Sequence, residues 1–576
     1  MNLNSTETIL NAPYINVCAN TLCCWEGWEA IIAQINNKVA ENGLKKTLVC
    51  IECYPGTYES VNLKAIKEGL APSAICLTRD LLKEEKEIRN MVGTFVPEND
   101  IFGRISGLRI LDFYQHKKKQ SIQDNIDQID SGIILVFGVA ASLLFKADIT
   151  VYADMSLYEI QQRFRRKDIS NFAISNEEEN YEKQYTRGFF IDWYLGNKIK
   201  KSVFSKADFV LDTNNWQKPK MVAGESLREG FFKASQTPFI QAPFFDPEIW
   251  DNPNALKDKE DFYWYFNCIP EENSILFKFN DILFESPVVN AIYLYPKAFL
   301  GNTVYHLFGA ELPIRMNFID NLDTENDDFM LTVYPDTEEI KDLFGCNYIT
   351  ENSYYIMATG EHANIHIGHK KQLDKKEIKK IIGKKTLIFK QFFNEIPLKQ
   401  HDQINIPAGL PHSFGNNCVL LKVGISPEFL SYKLWQHQKT EIAFDEIFLN
   451  LHKQRGVEAI DEQASIFPKQ LSNQVEVLDY GEHWREEKLG GNLYNLLEQR
   501  RHIFSSHVKH FNNGNVEVIN LVQGEKIIVE SEERLFDSFV VYYSQTFIVP
   551  ASVKGYTIRP ANDGEECITL KAFIKH

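Results

Sequence analysis

No stretch of this 576-residue chain is apolar for long enough to cross a bilayer. The longest nearly apolar run, 132–145, is closed off by Asp130 and Lys146 and falls short of the roughly 20 residues that a membrane-spanning helix needs. The amino terminus, MNLNSTETILNAPYINV, lacks a basic start leading into an apolar core, so no secretory signal and no membrane partner is expected. Paired C-x-x-C sets with zinc-knuckle spacing are missing as well. The ten cysteines are scattered, with Cys23 and Cys24 adjacent, and buried thiols in a cytoplasmic protein are the expectation. Positive charge is short: 62 Lys and Arg face 78 Asp and Glu, a formal net charge of −16. That excludes sequence-independent nucleic-acid binding, which rests on cations neutralising phosphates. The basic clusters at 117–119 and 375–380 stand among acidic neighbours and read as solvated helix faces. Finally, there is no G-x-x-x-x-G-K-[ST] cradle. Gly56 in ECYPGTYES is not followed by lysine and Ser/Thr in that frame, so ATP-dependent phosphoryl transfer is not expected.

What is present is ample material for packed cores. Hydrophobic residues make up 44% of the chain and aromatics 12%, and a chain this long divides into several domains. Residues 1–235 alternate apolar strands (47–53, 133–137, 149–153, 209–212) with amphipathic helices (28–38, 156–166), the pattern of a parallel α/β sheet. The strand at 132–141 and the arginine-bearing segment 147–166, ADITVYADMSLYEIQQRFRR, resemble the fold of nucleoside and small-molecule kinases, without the P-loop. Arg163, Arg165, Arg166, Arg187 and the run Asp212-Thr213-Asn214 could hold a phosphorylated small molecule, or could serve as a solvated helix face and an interface.

Near residue 236 the character changes to a proline- and aromatic-rich junction, TPFIQAPFFDPEIWDNPNA. From there to 440 short strands dominate: 275–279, 289–294, 329–333, 353–357, 363–367, 403–406 and 419–425. With turn residues between them they imply an antiparallel barrel or jelly roll, broken by a charged helical insert at 371–395. Residues 441–472 read as a helical connector. Strands recur at 516–522, 526–529, 538–543 and 546–549, and IVPASVKGY repeats the strand–turn–strand pattern of INIPAGLPH without its histidine. Residues 473–576 are therefore a second barrel, without a metal. The expected fold class is α/β plus all-β.

The segments LPIRMNFID, TVYPDTEEI, NSYYIMATGEHANIHIG and HDQINIPAGLPHSFGNN together resemble class I mannose-6-phosphate isomerases, cupin-type proteins, across residues 240–440. The resemblance implies two cupin-like barrels and an aldose–ketose sugar-phosphate isomerase. It also implies a zinc held by a Gln-Val-His tripeptide, a glutamate before a Tyr-Tyr strand, and the histidine after the turn. Here those positions read Thr332-Val333-Tyr334, Asn352 and His412, so only the last histidine remains. One imidazole with neutral oxygens is a poor zinc set. An active member would need zinc, whereas this donor set is expected to hold none tightly. Beyond the histidine strand the family carries a basic residue in a YRLYDWDR-like segment, which here reads YKLWQHQK. Lys433 and Lys439 are the residues that would anchor a phosphate or assist proton transfer, as point charges and not as forks. A replacement metal site could recruit His362 and His366, which share a strand face, while Glu351 and His369 should face away. Two functions follow as expectations: a catalytically impaired isomerase of carbohydrate metabolism, or a non-catalytic barrel that binds a sugar or sugar phosphate.

Overall fold

A computed structural model describes residues 14–17, 22–241, 267–320, 330–385, 387–425, 427–436, 446–462, 475–490 and 495–575. The chain divides into two compact units: Ala12–Ser235 with Glu271–Tyr295, and a second that holds Pro296–His576. Among the described residues no helix is long and apolar enough to cross a membrane. No disulfide joins the described cysteines, all of them buried.

The first unit is built on a seven-stranded sheet. Its order is Cys24–Glu26, Lys220–Ala223, Phe209–Asp212, Ile149–Asp154, Lys46–Cys53, Gly132–Gly138, Ala74–Leu77. The last five are parallel to one another, and the first two join antiparallel at one edge. Counted in chain order, the parallel strands run 2-3-1-4-5. The central strand Lys46–Cys53 is KTLVCIEC, an apolar run rather than an alternation, because both of its faces are covered. The loop that leaves this strand is closed. Arg163 donates from Nη1 to Gly56 O at 3.0 Å and lies 3.7 Å over the Tyr58 ring, and a Cβ on Gly56, at φ +113°, would meet Ile160 at 2.8 Å.

Two expectations for the barrel region are corrected here. The strand Ser274–Phe279 belongs to this first unit, where it pairs with Ile15–Val17 and Ile282–Pro287 in a separate three-stranded sheet. Residues 289–294, read as a strand, form the helix Val288–Leu294. Pro287 is both the last residue of the strand Ile282–Pro287 and the N-cap of this helix, so the strand has ended before the apolar run begins.

The second unit contains two barrels built alike. In the first, one sheet runs Arg315–Asp320, Cys418–Gly424, Asn352–Thr359, Gln403–Ile406; the facing sheet runs Phe393–Pro397, Asn364–His369, His412–Phe414, Met330–Val333, Tyr432–Gln436. Between them lies a core that includes Ile356, Ile365, Ile367, Ile406, Leu410 and Leu420. The insert forms the helices Lys375–Ile382, with an Asp374–Glu377 capping box, and Phe389–Phe392. The connector forms the helix Glu446–Ala459. In the second barrel, Leu497–Phe504, Cys567–Ile574, Glu517–Gln523 and Thr546–Val549 follow the order of the first barrel's first sheet. Val508–Phe511, Gly555–Pro560, Lys526–Glu530 and Phe539–Tyr542 make the facing sheet. Even the irregularities match. A bulge between Ile356 and Ala358 recurs between Leu521 and Gln523. Phe239–Ile240, from the proline-rich junction, pairs with Thr546–Val549 and extends the second barrel's larger sheet.

Candidate functional site

The strand-to-strand turn Pro407-Ala408-Gly409 positions the site. Gly409 takes φ +76°, a left-handed conformation that suits glycine, and its N–H donates to Tyr334 O at 2.9 Å. The turn is thereby fastened to the end of strand Met330–Val333, and His412 emerges next to it. Thr332 stands opposite His412 on one side and opposite Lys433 on the other, while Ile367 faces His412 from the third strand. Directly opposed residues share a sheet face, and Ile367 lies in the barrel core. This row therefore points inward. Tyr334, two residues beyond Thr332, follows it, with its ring centroid 5.2 Å from that of His412. Asn352 lies opposite Ile406 and Gly424 and is also inward; a Cβ on Gly424 would come within 2.2 Å of its amide oxygen.

The chemistry at the centre belongs to a pair that the sequence comparison only half named. The Tyr334 and Tyr354 hydroxyls are 2.7 Å apart, and the Tyr354 hydroxyl is 3.5 Å from His412 Nε2. His412 Nδ1 is 3.1 Å from Leu410 O, which assigns the proton to Nδ1 and leaves Nε2 as the acceptor. Buried Lys422, opposite Tyr354, places its ammonium 4.7 Å from the Tyr334 ring centroid. Tyr354 shares a face with Asn352 by strand alternation, a signal available in NSYY. Lys422 carried no such signal.

These residues do not fit zinc. They supply one imidazole, two phenols hydrogen-bonded to each other, a threonine hydroxyl and an amide, with an ammonium already over one ring. A phenol is a poor ligand unless it loses its proton, and a nearby cation opposes a divalent ion. Among the described residues, no group of three or more His, Cys, Asp or Glu side chains is placed to hold a metal ion.

The other candidates disperse. Glu351 turns away and accepts the N–H groups of Leu496 and Leu497 at 2.8 and 2.9 Å; burial raises its pKa. His366 is paired with Ser413, so it faces outward, and its ring packs on Phe389 of the insert at 5.2 Å. His362 sits exposed in a turn at φ +60°. The replacement site built from these two histidines is thus overturned, because strand alternation turns His366 away from His412 and His362 lies before the strand, in the exposed turn. His369 packs against Phe393, and burial lowers its pKa to about 4. Lys433 Nζ donates to Ser431 Oγ at 2.9 Å. Lys439 lies outside the described residues. Arg315, from LPIRMNFID, donates to Pro313 O and Ile425 O, both at 2.8 Å.

The second barrel holds a polar ring that sequence reasoning did not find. His502 Nε2 meets Glu486 Oε1 at 2.9 Å. The His502 and His510 rings are 4.5 Å apart, and His510 stacks on Tyr556 at 5.1 Å. The Tyr556 hydroxyl donates to Glu517 at 2.6 Å. Lys571 Nζ closes the ring, 3.4 Å from Glu517 and 3.7 Å from Glu486. Burial pushes His502 down to about 4 and His510 well below the usual range. Burial also pushes the Glu486 carboxyl up, but His502, Lys571 and Arg500 outweigh it and hold it low.

Residues 27–236 match a family described as a domain of unknown function (DUF8485). No curated protein matches the chain. Among solved structures, the mannose 6-phosphate isomerase from Bacillus subtilis is similar at 16% identity and a TM-score of 0.36, over 46% of this chain and 76% of that one. A point mutant of the phosphomannose isomerase from Salmonella typhimurium is similar at 10% identity and a TM-score of 0.39, over 53% of this chain and 88% of that one.

Proposed function

We propose that the first barrel binds a sugar or sugar phosphate without zinc and without isomerising it. The carrying observation is the Tyr334–Tyr354 hydroxyl pair, 2.7 Å apart, with Lys422 over the Tyr334 ring, where the isomerase resemblance calls for metal ligands. Moving a proton between adjacent sugar carbons needs a base beside the carbon and an electrophile for the developing enediolate. The nearest carboxylate in the sequence comparison, Glu351, is turned onto backbone N–H groups. What remains suits recognition: the Tyr334 and Tyr354 hydroxyls with Thr332, Asn352 and His412 for the sugar's hydroxyls, and Lys433 as the point charge for a phosphate, with Lys439 as a second cation in the same segment. The first unit we read as a kinase-like scaffold without its phosphate cradle. The 2-3-1-4-5 strand order and the loop closed by Arg163 support that reading.

The test is elemental analysis of the native protein, together with calorimetric titration of mannose 6-phosphate. Zinc well below one per chain, saturable binding that is lost in His412→Ala, and no fructose 6-phosphate in the presence of added zinc are expected. Stoichiometric zinc with turnover that disappears in His412→Ala would restore the isomerase.

A further inference from the structure

The arginines that the sequence offered for an anion are spent within the first unit. Arg163 is held by Glu159 and Thr213 O, Arg166 by Glu159 and Asp168, and Arg187 by Phe172 O beside Asp192. Arg165 lies over the Tyr181 ring at 4.8 Å. An open feature stands instead at an edge of the second barrel. Its seven-stranded sheet ends on one side in Phe239–Ile240, a two-residue strand with Phe239 buried. A very short edge strand is one way in which proteins blunt an edge. The other side ends in Val475–Gly481, VEVLDYG, and every one of its seven residues is exposed. Among the described residues this strand pairs only with Trp484–Leu489, so the backbone groups on its far side meet no strand. The Tyr480 N–H falls back on the Asp479 carboxylate at 2.9 Å. Lysine and proline, which protect natural edges, are missing from it, and Val475, Val477, Leu478 and Tyr480 are large hydrophobic side chains left in solvent.

A bulge between Val477 and Asp479 sorts these side chains. Val475, Val477 and Tyr480 stand opposite Leu489, Glu487 and Arg485, alternate residues of the neighbouring strand, so the three share one face of the sheet. Glu476 and Asp479, opposite Lys488 and Glu486, share the other. On the apolar face Tyr480 projects, 76% exposed, beside a cleft of about 440 Å³ whose lining includes Val477, Arg485 and Ile503. Ile503 stands opposite Arg485, which puts it on that same face. A projecting ring beside a cleft of one surface is self-complementary, because a two-fold axis brings each ring to the other copy's cleft. One antiparallel register achieves this. With Val477 opposite Tyr480 of a second copy, Glu476 falls opposite Gly481 and Leu478 opposite Asp479, so no carboxylate directly faces another. The adjacent register with the same faces sets Glu476 against Asp479, and like charges directly opposed are destabilising.

We propose that a second copy of this chain docks on this edge, its Val475–Gly481 strand antiparallel to the first, with each Tyr480 seated against the other copy's Val477 and cleft. The surface does not rest on the sugar reading of the first barrel. A strip one strand wide is at the small end of specific interfaces, so the association is modest. Salt separates it from the capture of a basic extended segment of another protein by Glu476 and Asp479. Two chains that each carry −16 repel, so salt tightens their pairing, whereas it loosens a charge-driven complex. The test is sedimentation equilibrium of the full chain from about 1 to about 100 μM, at about 0.05 and about 0.5 M sodium chloride. A monomer–dimer equilibrium with a Kd on the order of 10 μM is expected, tighter by about two-fold or more at the higher salt. Val477→Lys puts the charge on the edge that natural sheets use, and Tyr480→Ser removes the ring. Val477 is 55% exposed and Tyr480 more so, so neither variant should move the melting temperature, while each weakens association about ten-fold or more. A chain that stays monomeric throughout, a dimer that salt loosens, or a Kd that both variants leave within about two-fold of the parent would overturn the interface.

Discussion

The two barrels of the second unit share a wall and differ in what they enclose. In each, the second strand of the four that the barrels share in order opens with cysteine and places a lysine four residues on: CVLLKVG at Cys418–Gly424 and CITLKAFI at Cys567–Ile574. Lys422 stands opposite Asn317 and Tyr354, and Lys571 stands opposite Arg500 and Ile519. The same correspondence sets Ile319 against His502 and Asn352 against Glu517. With tyrosine and aliphatic side chains around it, the first lysine lies over a ring. With two carboxylates in reach, the second lysine becomes the counterion of a closed polar circuit. One backbone pattern thus hosts an apolar core with a hydroxyl pair in one copy and an ionic circuit in the other. The carboxylate and imidazole types that the isomerase comparison expected in the first barrel are inside the second.

The largest consequence concerns the two lysines. Removing Lys571 in Lys571→Met takes the ammonium from buried Glu517, while Glu486 keeps Arg500 and His502; a broken buried pair costs about 3–5 kcal/mol. Lys422→Met loses a cation–π contact, about 1–2 kcal/mol. Thermal unfolding of the full chain should show a drop at least twice as large for the first variant. Equal drops would mean that the two lysines have the same role and would dissolve the contrast.

Next comes acidity. His502 and His510 are held neutral in the folded second barrel, with pKa values below the unfolded value near 6.5. The unfolded chain therefore binds more protons below pH 6.5, and stability falls as the pH drops from 6.5 toward 4, by on the order of 1 kcal/mol per pH unit for each histidine. Above pH 6.5 the contribution is fully present. His502 meets Glu486, His510, Lys571 and Arg500, so the slope reports the whole circuit. Importing the first barrel's residue with His502→Ile should flatten the pH dependence of the melting temperature between pH 6.5 and 4. An unchanged slope would place the acid sensitivity elsewhere, with His369 of the first barrel, also near 4, as the next group to replace.

Those contrasts also explain what was legible in the sequence. Short runs rich in β-branched residues, such as those around 403–406 and 546–549, and the IPAG turn declare themselves, because most of their side chains are core and the turn demands a left-handed glycine. The strand Leu497–Phe504 reads LEQRRHIF and the strand Trp484–Leu489 reads WREEKL. Their inward faces carry charge, so the hydrophobic period that announces a strand is missing. Ion circuits close across strands far apart in the chain, and no local spacing encodes them. The first barrel's site was half visible. His412, Thr332 and Tyr334 come into register through the turn, yet the partner of Tyr334 is Tyr354 and the cation is Lys422, both set by cross-strand pairing. Residues 289–294 misled because VNAIYL is as apolar as a strand; the strand had already ended at Pro287.

The smallest expected effect isolates the feature that separates the barrels most sharply, the hydroxyl pair. Tyr354→Phe removes one member and leaves the Tyr334 hydroxyl without its partner at 2.7 Å, at a cost of about 1–3 kcal/mol for a buried group left unsatisfied. Tyr334→Phe has the same effect from the other side and leaves the ring under Lys422. The double variant removes both groups together, and replacing both partners of a hydrogen bond by apolar groups of the same shape is close to neutral. The double-variant cycle should therefore show coupling of about 2 kcal/mol or more, with the double less destabilised than the sum of the singles. Additive losses would mean that each hydroxyl answers to a different partner. His412 would then be the group to which Tyr354 is tied, and the first barrel would be an imidazole site rather than a phenol pair.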